Sequence, residues 1–111
     1  MFSQRIAIVS AVLLALPVLT WADGDPEEGR RKAETCLGCH GIKNYTNAYP
    51  SYPVPKICGQ NQQYLLDSLA AYASGGRPHD TMHAQAATLD DASRLDIAAY
   101  FADPAVCAKG D

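Results

Sequence analysis

The sequence has few basic side chains and no apolar run long enough to cross a bilayer. Lys and Arg number 9 against 12 Asp and Glu, which gives a formal net charge of −3. Because like charges repel, nucleic acid and anionic membrane surfaces are not expected as the main partners of this chain. The sequence also lacks strand-like alternation of polar and apolar residues, an internal repeat and a low-complexity tract. It therefore predicts no β-strand and no repeat architecture.

The longest apolar run lies at the start of the chain. Arg5 precedes residues 6–19, a run of 14 residues interrupted only by Ser10 and Pro17. A membrane-spanning helix needs roughly 20 apolar residues. A positive charge, a short apolar run and small residues after it are instead typical of a secretory signal peptide. We expect residues 1–22 to be such a peptide, removed after its last residue; an uncleaved membrane anchor is the alternative.

Cleavage would leave residues 23–111 as one small domain. Without Arg5, this domain holds 8 basic and 12 acidic side chains and has a net charge of −4. A chain this short buries only about 60% of its unfolded surface, so domains of this size often need a covalent or cofactor staple. Export would place the domain in the periplasm, with no stable insertion in the membrane.

Three helices are predicted in this domain from their capping residues. Asp25, Asn61 and Asp90 are placed as N-caps, because a short polar side chain before an apolar pattern satisfies the first free N–H groups. Pro26 suits the first helical position, and Gly75 follows the second helix as its stop. The predicted ranges are 26 to about 36–39, 62–74 and 91–102.

Two long segments, residues 41–59 and 77–88, are predicted as loops between these helices. The first contains Pro50, Pro53 and Pro55. An irregular segment of that length in a small domain usually wraps a ligand or is disordered. Its interleaved Tyr, Ile and Val side chains favour wrapping around a ligand.

A Cys-x-x-Cys-His motif lies at the end of the first predicted helix. Cys36, Cys39 and His40 have the spacing that attaches haem, since two thiols must reach two vinyl groups of one porphyrin while the His reaches the iron. A thioredoxin-like redox pair is one alternative, but it requires a βαβ context that is missing here. Half of a zinc site is another alternative, with Cys58 and Cys107 as the remaining ligands.

From about Gly29 to Ala102 the chain resembles the small class I c-type cytochromes of bacteria, in particular single-haem relatives of the cytochrome c4 group. The resemblance rests on Cys36-Leu37-Gly38-Cys39-His40-Gly41, Val54-Pro55-Lys56-Ile57-Cys58-Gly59-Gln60, Met82, Leu89-Asp90-Asp91 and Ala98-Ala99-Tyr100-Phe101-Ala102. It implies an all-α fold with three main helices and loops that wrap one covalent haem c. It also implies a close crossing of the first and last helices, with Gly29 and Ala33 facing Ile97, Tyr100 and Phe101.

The second axial ligand of the iron decides what such a protein does. A methionine sulfur raises the reduction potential and closes the iron to external ligands, whereas an open position favours gas or peroxide chemistry. Met82 is the one Met of residues 23–111, and the resemblance places the ligand Met in its region. We expect His40 and Met82 to ligate the iron. The alternatives are ligation by His79 or His83, with Met82 filling a gap in the core.

The resemblance also assigns a role to Pro55. Its carbonyl would accept a hydrogen bond from the ligating His and so fix the orientation of the imidazole. The alternative is a proline that only stiffens the loop. Four side chains could donate hydrogen bonds to the haem propionates, and the sequence alone does not distinguish among them: Arg77, Tyr49, Tyr52 and Tyr64.

Cys58 and Cys107 lie outside the attachment motif. In an oxidising compartment two spare thiols usually pair, so an intramolecular disulfide is expected. Two free thiols, or a bond to a partner, are the alternatives.

These observations predict a periplasmic electron carrier with His/Met ligation rather than an enzyme. Its expected partners are redox proteins such as a quinol-oxidising complex, a dehydrogenase or a terminal oxidase or reductase. One alternative is a haem enzyme or ligand sensor with a displaceable Met82. Another is a subunit that relays electrons inside a larger oxidoreductase.

Overall fold

The computed structural model describes residues 23–108, so the predicted signal peptide over residues 1–22 lies outside the described residues. Six helices and one hairpin follow in chain order: α1 Pro26–Lys32, α2 Glu34–His40, β1 Thr46–Ala48, β2 Ser51–Pro53, α3 Gln62–Ser74, α4 Asp80–Ala86, α5 Asp91–Ala102 and α6 Pro104–Cys107. The predominance of helix confirms the predicted fold class. None of the helices within residues 23–108 is long and apolar enough to cross a membrane.

The predicted N-caps begin the three main helices. The Asp25 carboxylate accepts hydrogen bonds from the backbone N–H groups of Glu27 and Glu28. Asn61 and Asp90 cap α3 and α5 in the same way, and both helices have the predicted bounds. Side-chain caps therefore account for where the main helices start, because each supplies an acceptor to N–H groups that have no partner inside the helix.

The first predicted helix is interrupted at Ala33. Its backbone there, φ −88° and ψ 4°, leaves the helical region and divides the segment into α1 and α2. The hydrogen bonds from Ala33 N to Gly29 O and from Leu37 N to Ala33 O, 2.8 and 3.0 Å long, continue across the break. The predicted end near residues 36–39 is one residue short, because α2 includes His40.

The two segments predicted as loops contain regular structure, so the expectation of no strand is wrong. β1 and β2 pair antiparallel around the cis Tyr49–Pro50 bond, with Asn47 opposite Tyr52. Three residues per strand are too few for an alternation to be recognised in the sequence. In the second segment α4 begins after His79, an unusual N-cap residue whose ring accepts a hydrogen bond from Met82 N.

Helices α1 and α5 cross in close contact, as the resemblance implies. A Cβ atom at Gly29 would overlap the Asp96 carbonyl oxygen and lie 2.8 Å from Tyr100 Cβ, so only glycine fits there. Ala33 is fully buried in one apolar cluster with Ile97, Tyr100 and Phe101. The predicted contact set therefore lies at the centre of the core.

An ion pair joins the two crossing helices at their edge. The Lys32 ammonium lies 2.6 Å from the Asp96 carboxylate, which also accepts a 2.8 Å hydrogen bond from Asp25 N. The hydrogen bond from Lys32 holds the pKa of Asp96 below its ordinary value, and the same bond raises the pKa of Lys32. The pair thus contributes to stability while both groups are charged.

The expected disulfide between Cys58 and Cys107 is present, with the two Cα atoms 5.8 Å apart. It bonds the chain just beyond Val54–Ile57 to the end of α6. Beside it, Gly59 N donates a 2.7 Å hydrogen bond to the Phe101 carbonyl at the end of α5. The segment that follows the hairpin is therefore fastened to the last helices by one covalent and one hydrogen bond.

Reduction of the disulfide should lower thermal stability without changing the haem spectrum. The disulfide closes a loop of 49 residues. In the chain-entropy model such a bridge stabilises the folded state by about 4 kcal/mol. Thermal unfolding of the holoprotein with and without a thiol reductant measures the difference, and the variant C58S/C107S should unfold at the midpoint of the reduced protein. Two titratable thiols per unreduced, denatured molecule would contradict the pairing.

Replacing Asp96 with Asn should destabilise the protein at neutral pH but not in acid. The Asn keeps an acceptor for Asp25 N while removing the charge that pairs with Lys32. Since the pKa of Asp96 is depressed by folding, its contribution is present above the ordinary value of 3.8 and is lost as the pH falls below it.

Unfolding midpoints from neutral pH down to about pH 3, close to the ordinary Asp range, measure this. Asp67→Asn is the matched control, because it makes the same charge change on α3, where the Asp67 carboxylate accepts from Gln63 and has no cation partner among residues 23–108. A D96N deficit that persists unchanged in acid, or equals that of D67N, would contradict the ion-pair account.

Candidate functional site

One cavity of about 500 Å³ lies between α2, the hairpin segment, α3, α4 and α5. Its walls are largely aliphatic and aromatic, from Val54 and Ile57 on one side to Leu65, Leu69 and Phe101 on the other. All five predicted site residues line it: Cys36, Cys39, His40, Pro55 and Met82. The fold thus brings together residues that the sequence separates by up to 46 positions.

Helix α2 carries the attachment motif on one face. Cys36 lies three residues before Cys39 and four before His40, the two helical spacings that bring side chains onto the same side. All three side chains are half-buried and reach the cavity. A ligand seated there can contact both thiols and the imidazole at once.

A hydrogen bond to Pro55 decides which nitrogen of His40 can bind a metal. His40 Nδ1 lies 2.7 Å from the Pro55 carbonyl oxygen. A carbonyl only accepts, so Nδ1 must carry the proton and donate it. In the neutral imidazole this leaves the lone pair of Nε2 available to a metal, with the ring held in one orientation. The contact that the resemblance implied for Pro55 is present in the structure.

Met82 reaches the cavity from α4 rather than from a loop. Its backbone N–H donates to His79 Nδ1 at 3.3 Å, so that nitrogen of His79 is occupied by the helix cap. His83 does not line the cavity, and its Nδ1 instead donates to the Tyr72 carbonyl at 2.8 Å. Of the three side chains considered for the second axial position, only Met82 and His79 border the cavity.

The environment of Cys36 does not suit a redox-active thiol pair. Burial raises the pKa of the Cys36 thiol above its ordinary value. Thioredoxin-like motifs depend on the opposite shift, since the thiolate is their nucleophile. The zinc alternative fails as well, because Cys58 and Cys107 are bonded to each other. Within residues 23–108 no group of three or more His, Cys, Asp or Glu is placed to hold a metal ion.

The four candidate donors for the propionates differ in their places around the cavity. Tyr49 lies at the hairpin turn with 95% of its surface exposed and does not line the cavity. Tyr52 does line it, but its hydroxyl proton is donated to Thr81 at 2.9 Å. Arg77 and Tyr64 remain, with the Arg77 guanidinium 4.8 Å from the centre of the Tyr72 ring.

Lys56, Gln60 and Thr81 are polar lining residues that the sequence reasoning did not single out. The first two stand in the quoted segment from Val54 to Gln60, so their neighbourhood was indicated but not their role. Among residues 23–108, Lys56 and Arg77 border the cavity and no carboxylate does. The charge of the rim therefore suits an anionic ligand.

These residues fit a haem. The walls suit an apolar macrocycle, the two thiols match its vinyl groups, and the free Nε2 of His40 provides a ligand for its iron. The cations on the rim suit its two propionates.

Comparison with known proteins gives consistent relatives, although no protein-family model matches the chain. Cytochrome c4 of Pseudomonas aeruginosa is 36% identical over 114 residues, covering 94% of this chain and 55% of that protein. Cytochrome c-554(548) of Halomonas halodenitrificans is 38% identical over 81 residues, covering 70% of this chain and 94% of that protein. A thiosulfate dehydrogenase electron acceptor of Thiomonas intermedia is 32% identical over 96 residues, covering 86% of this chain and 41% of that protein.

The chain thus spans about half the length of the cytochromes c4 that it matches, whereas it covers nearly all of the shorter cytochrome c-554(548). The likeness extends over most of the described fold and includes the attachment motif at the cavity. The chain therefore belongs to the class I c-type cytochromes, close to the cytochrome c4 group, whose cofactor is covalent haem c.

Proposed function

We propose that this protein is a periplasmic one-electron carrier whose single haem c is attached through Cys36 and Cys39 and ligated by His40 and Met82. The observation that carries the proposal is the meeting of these four side chains in one largely apolar cavity. When bound, haem c supplies the ferric–ferrous couple. The chain's own residues attach it, orient its ligands and exclude water.

The covalent part of the proposal rests on α2. Cys36 and Cys39 stand on one helical face and would each form a thioether with a vinyl carbon of the cofactor. Burial disfavours the charged thiolate of Cys36. A thioether carries no ionisable proton, so burial of the sulfur has no such cost once the bond to haem has formed. The two thioethers would also join α2 to the haem, and so provide the covalent staple that a domain of this size needs.

The ligands support electron transfer rather than catalysis. Pro55 holds His40 with Nδ1 protonated, which strengthens Nε2 as a donor and keeps the ring from turning. A thioether from Met82 would raise the reduction potential and occupy the remaining axial position. Two permanent ligands leave no place for a substrate, so we propose a carrier and not an enzyme.

Location and partners follow from the chemistry of the chain. The Cys58–Cys107 disulfide suits an oxidising compartment and supports a periplasmic location after removal of residues 1–22. The similar protein of Thiomonas intermedia is named as the electron acceptor of a thiosulfate dehydrogenase. We propose redox proteins as partners, whether a quinol-oxidising complex, a dehydrogenase or a terminal oxidase or reductase.

Replacing Cys36 or Cys39 with Ala should leave at most one thioether, because each thiol serves one vinyl group. The pyridine haemochrome spectrum reports the number of unreacted vinyl groups, and the double variant C36A/C39A should lose its haem on a denaturing gel. The variant C58S/C107S is the matched control and should keep both thioethers. Two thioethers in either single variant would disprove the assignment.

Replacing Met82 with Ala should lower the reduction potential and allow the reduced protein to bind carbon monoxide, since the axial position opens. Potentiometric titration and carbon monoxide difference spectra measure both effects. Ala84→Ser, at an exposed position on the same helix that does not line the cavity, is the control and should retain the parent potential. If M82A keeps its potential and does not bind carbon monoxide, Met82 is not the ligand.

A further inference from the structure

The helix that carries Met82 depends on its neighbours for its position. α4 has 7 residues, and isolated helices of that length are unstable in water. Its N-cap is the His79 ring, which accepts from Met82 N. The contacts that hold His79 and the first turn of α4 therefore also fix the position of the Met82 side chain.

Tyr52 of β2 contacts this turn twice. Its hydroxyl donates a 2.9 Å hydrogen bond to Thr81 Oγ1, the residue before Met82. Its ring packs edge-on against His79, with the ring centroids 4.7 Å apart, while Tyr72 of α3 packs on the same imidazole at 6.0 Å. Tyr52 thus contacts both the cap and the first turn of α4 from the hairpin side.

The same extended segment supports the other proposed ligand. Pro55 follows Tyr52 by three residues and accepts the hydrogen bond of His40. The segment is itself held by the pairing of Tyr52 with Asn47 and by a 2.9 Å hydrogen bond from Val54 N to Tyr45 O. Residues 52–55 therefore contact the supports of both proposed ligands, His40 through Pro55 and the turn before Met82 through Tyr52.

We propose that Tyr52 is a positioning residue for Met82, acting through its hydrogen bond to Thr81. The proposal rests on Met82 being an axial ligand. In the intact protein the bond keeps the first turn of α4 against the hairpin. The Met82 side chain would then stay in place to ligate the iron and would exclude an external ligand. Without the bond, α4 departs more often and an external ligand competes better.

Tyr52→Phe in the ferric holoprotein tests this, because the Phe keeps the ring against His79 and removes only the hydroxyl. The dissociation constant of imidazole should fall about fivefold, the factor that corresponds to one hydrogen bond of ordinary net strength. Tyr45→Phe is the matched control. Its hydroxyl has no hydrogen-bond partner within residues 23–108, and Tyr45 does not line the cavity, so its imidazole affinity should equal that of the parent.

Thr81→Val removes the acceptor while keeping the shape and should tighten imidazole binding by the same factor. Combining Y52F with T81V should add nothing further, since both remove one bond. Independent, multiplying effects would overturn the proposal. So would a Y52F protein indistinguishable from Y45F, or an equal tightening of imidazole binding in D96N, which loses stability at the crossing of α1 and α5 instead.

The near-infrared absorption of the ferric parent separates this proposal from the function on which it rests. A methionine–iron band in the parent with no effect of Y52F overturns the role of Tyr52 alone. Absence of the band from the parent overturns the assignment of Met82 and, with it, the role of Tyr52.

Discussion

The hydrogen bond between His40 Nδ1 and the Pro55 carbonyl joins the end of α2 to the extended segment that leaves the hairpin. The bond can form only while that segment lies across the cavity. It sets the imidazole tautomer, and the tautomer decides which nitrogen faces the cofactor. Residues 52–55 thus contact both sides of the cavity, His40 through Pro55 and the first turn of α4 through Tyr52.

Two other parts of the fold keep this segment in place. Just beyond Val54–Ile57, the Cys58–Cys107 disulfide and the hydrogen bond from Gly59 to Phe101 fasten the chain to the last helices. Those helices are positioned in turn by the crossing of α1 and α5, where Gly29 lets the two backbones meet. Since α1 continues into α2, the crossing also sets the position of the attachment motif. Core packing and haem ligation are therefore linked through the chain.

Local chemistry explains which features could be predicted from the sequence. Asp25, Asn61 and Asp90 begin helices because each offers an acceptor to unpaired N–H groups, and such caps are recognisable without a structure. The Cys36–His40 motif is equally local, since its chemistry requires one spacing. These residues, with the resemblance they carry, were enough to indicate the three main helices, the cofactor and five residues that line the cavity.

Features that depend on tertiary contact could not be read in the same way. The hairpin has strands too short to show alternation, and α4 is capped by a histidine, which sequence rules do not list among the preferred caps. Tyr49 and Tyr52 are near neighbours of the same type, yet one is exposed at the turn and the other faces Thr81. Tyr49 lies in the turn and Tyr52 in the strand that follows it, and the hairpin itself was not predicted.

The most direct test of this account is the protonation of His40 in the ferrous holoprotein, observed by NMR with nitrogen-labelled histidine. We expect a proton on Nδ1 that is protected from exchange with water, because it is donated to the Pro55 carbonyl. We expect no proton on Nε2, because that nitrogen is the proposed ligand of the iron. A proton on Nε2, or an Nδ1 proton that exchanges freely, would contradict it.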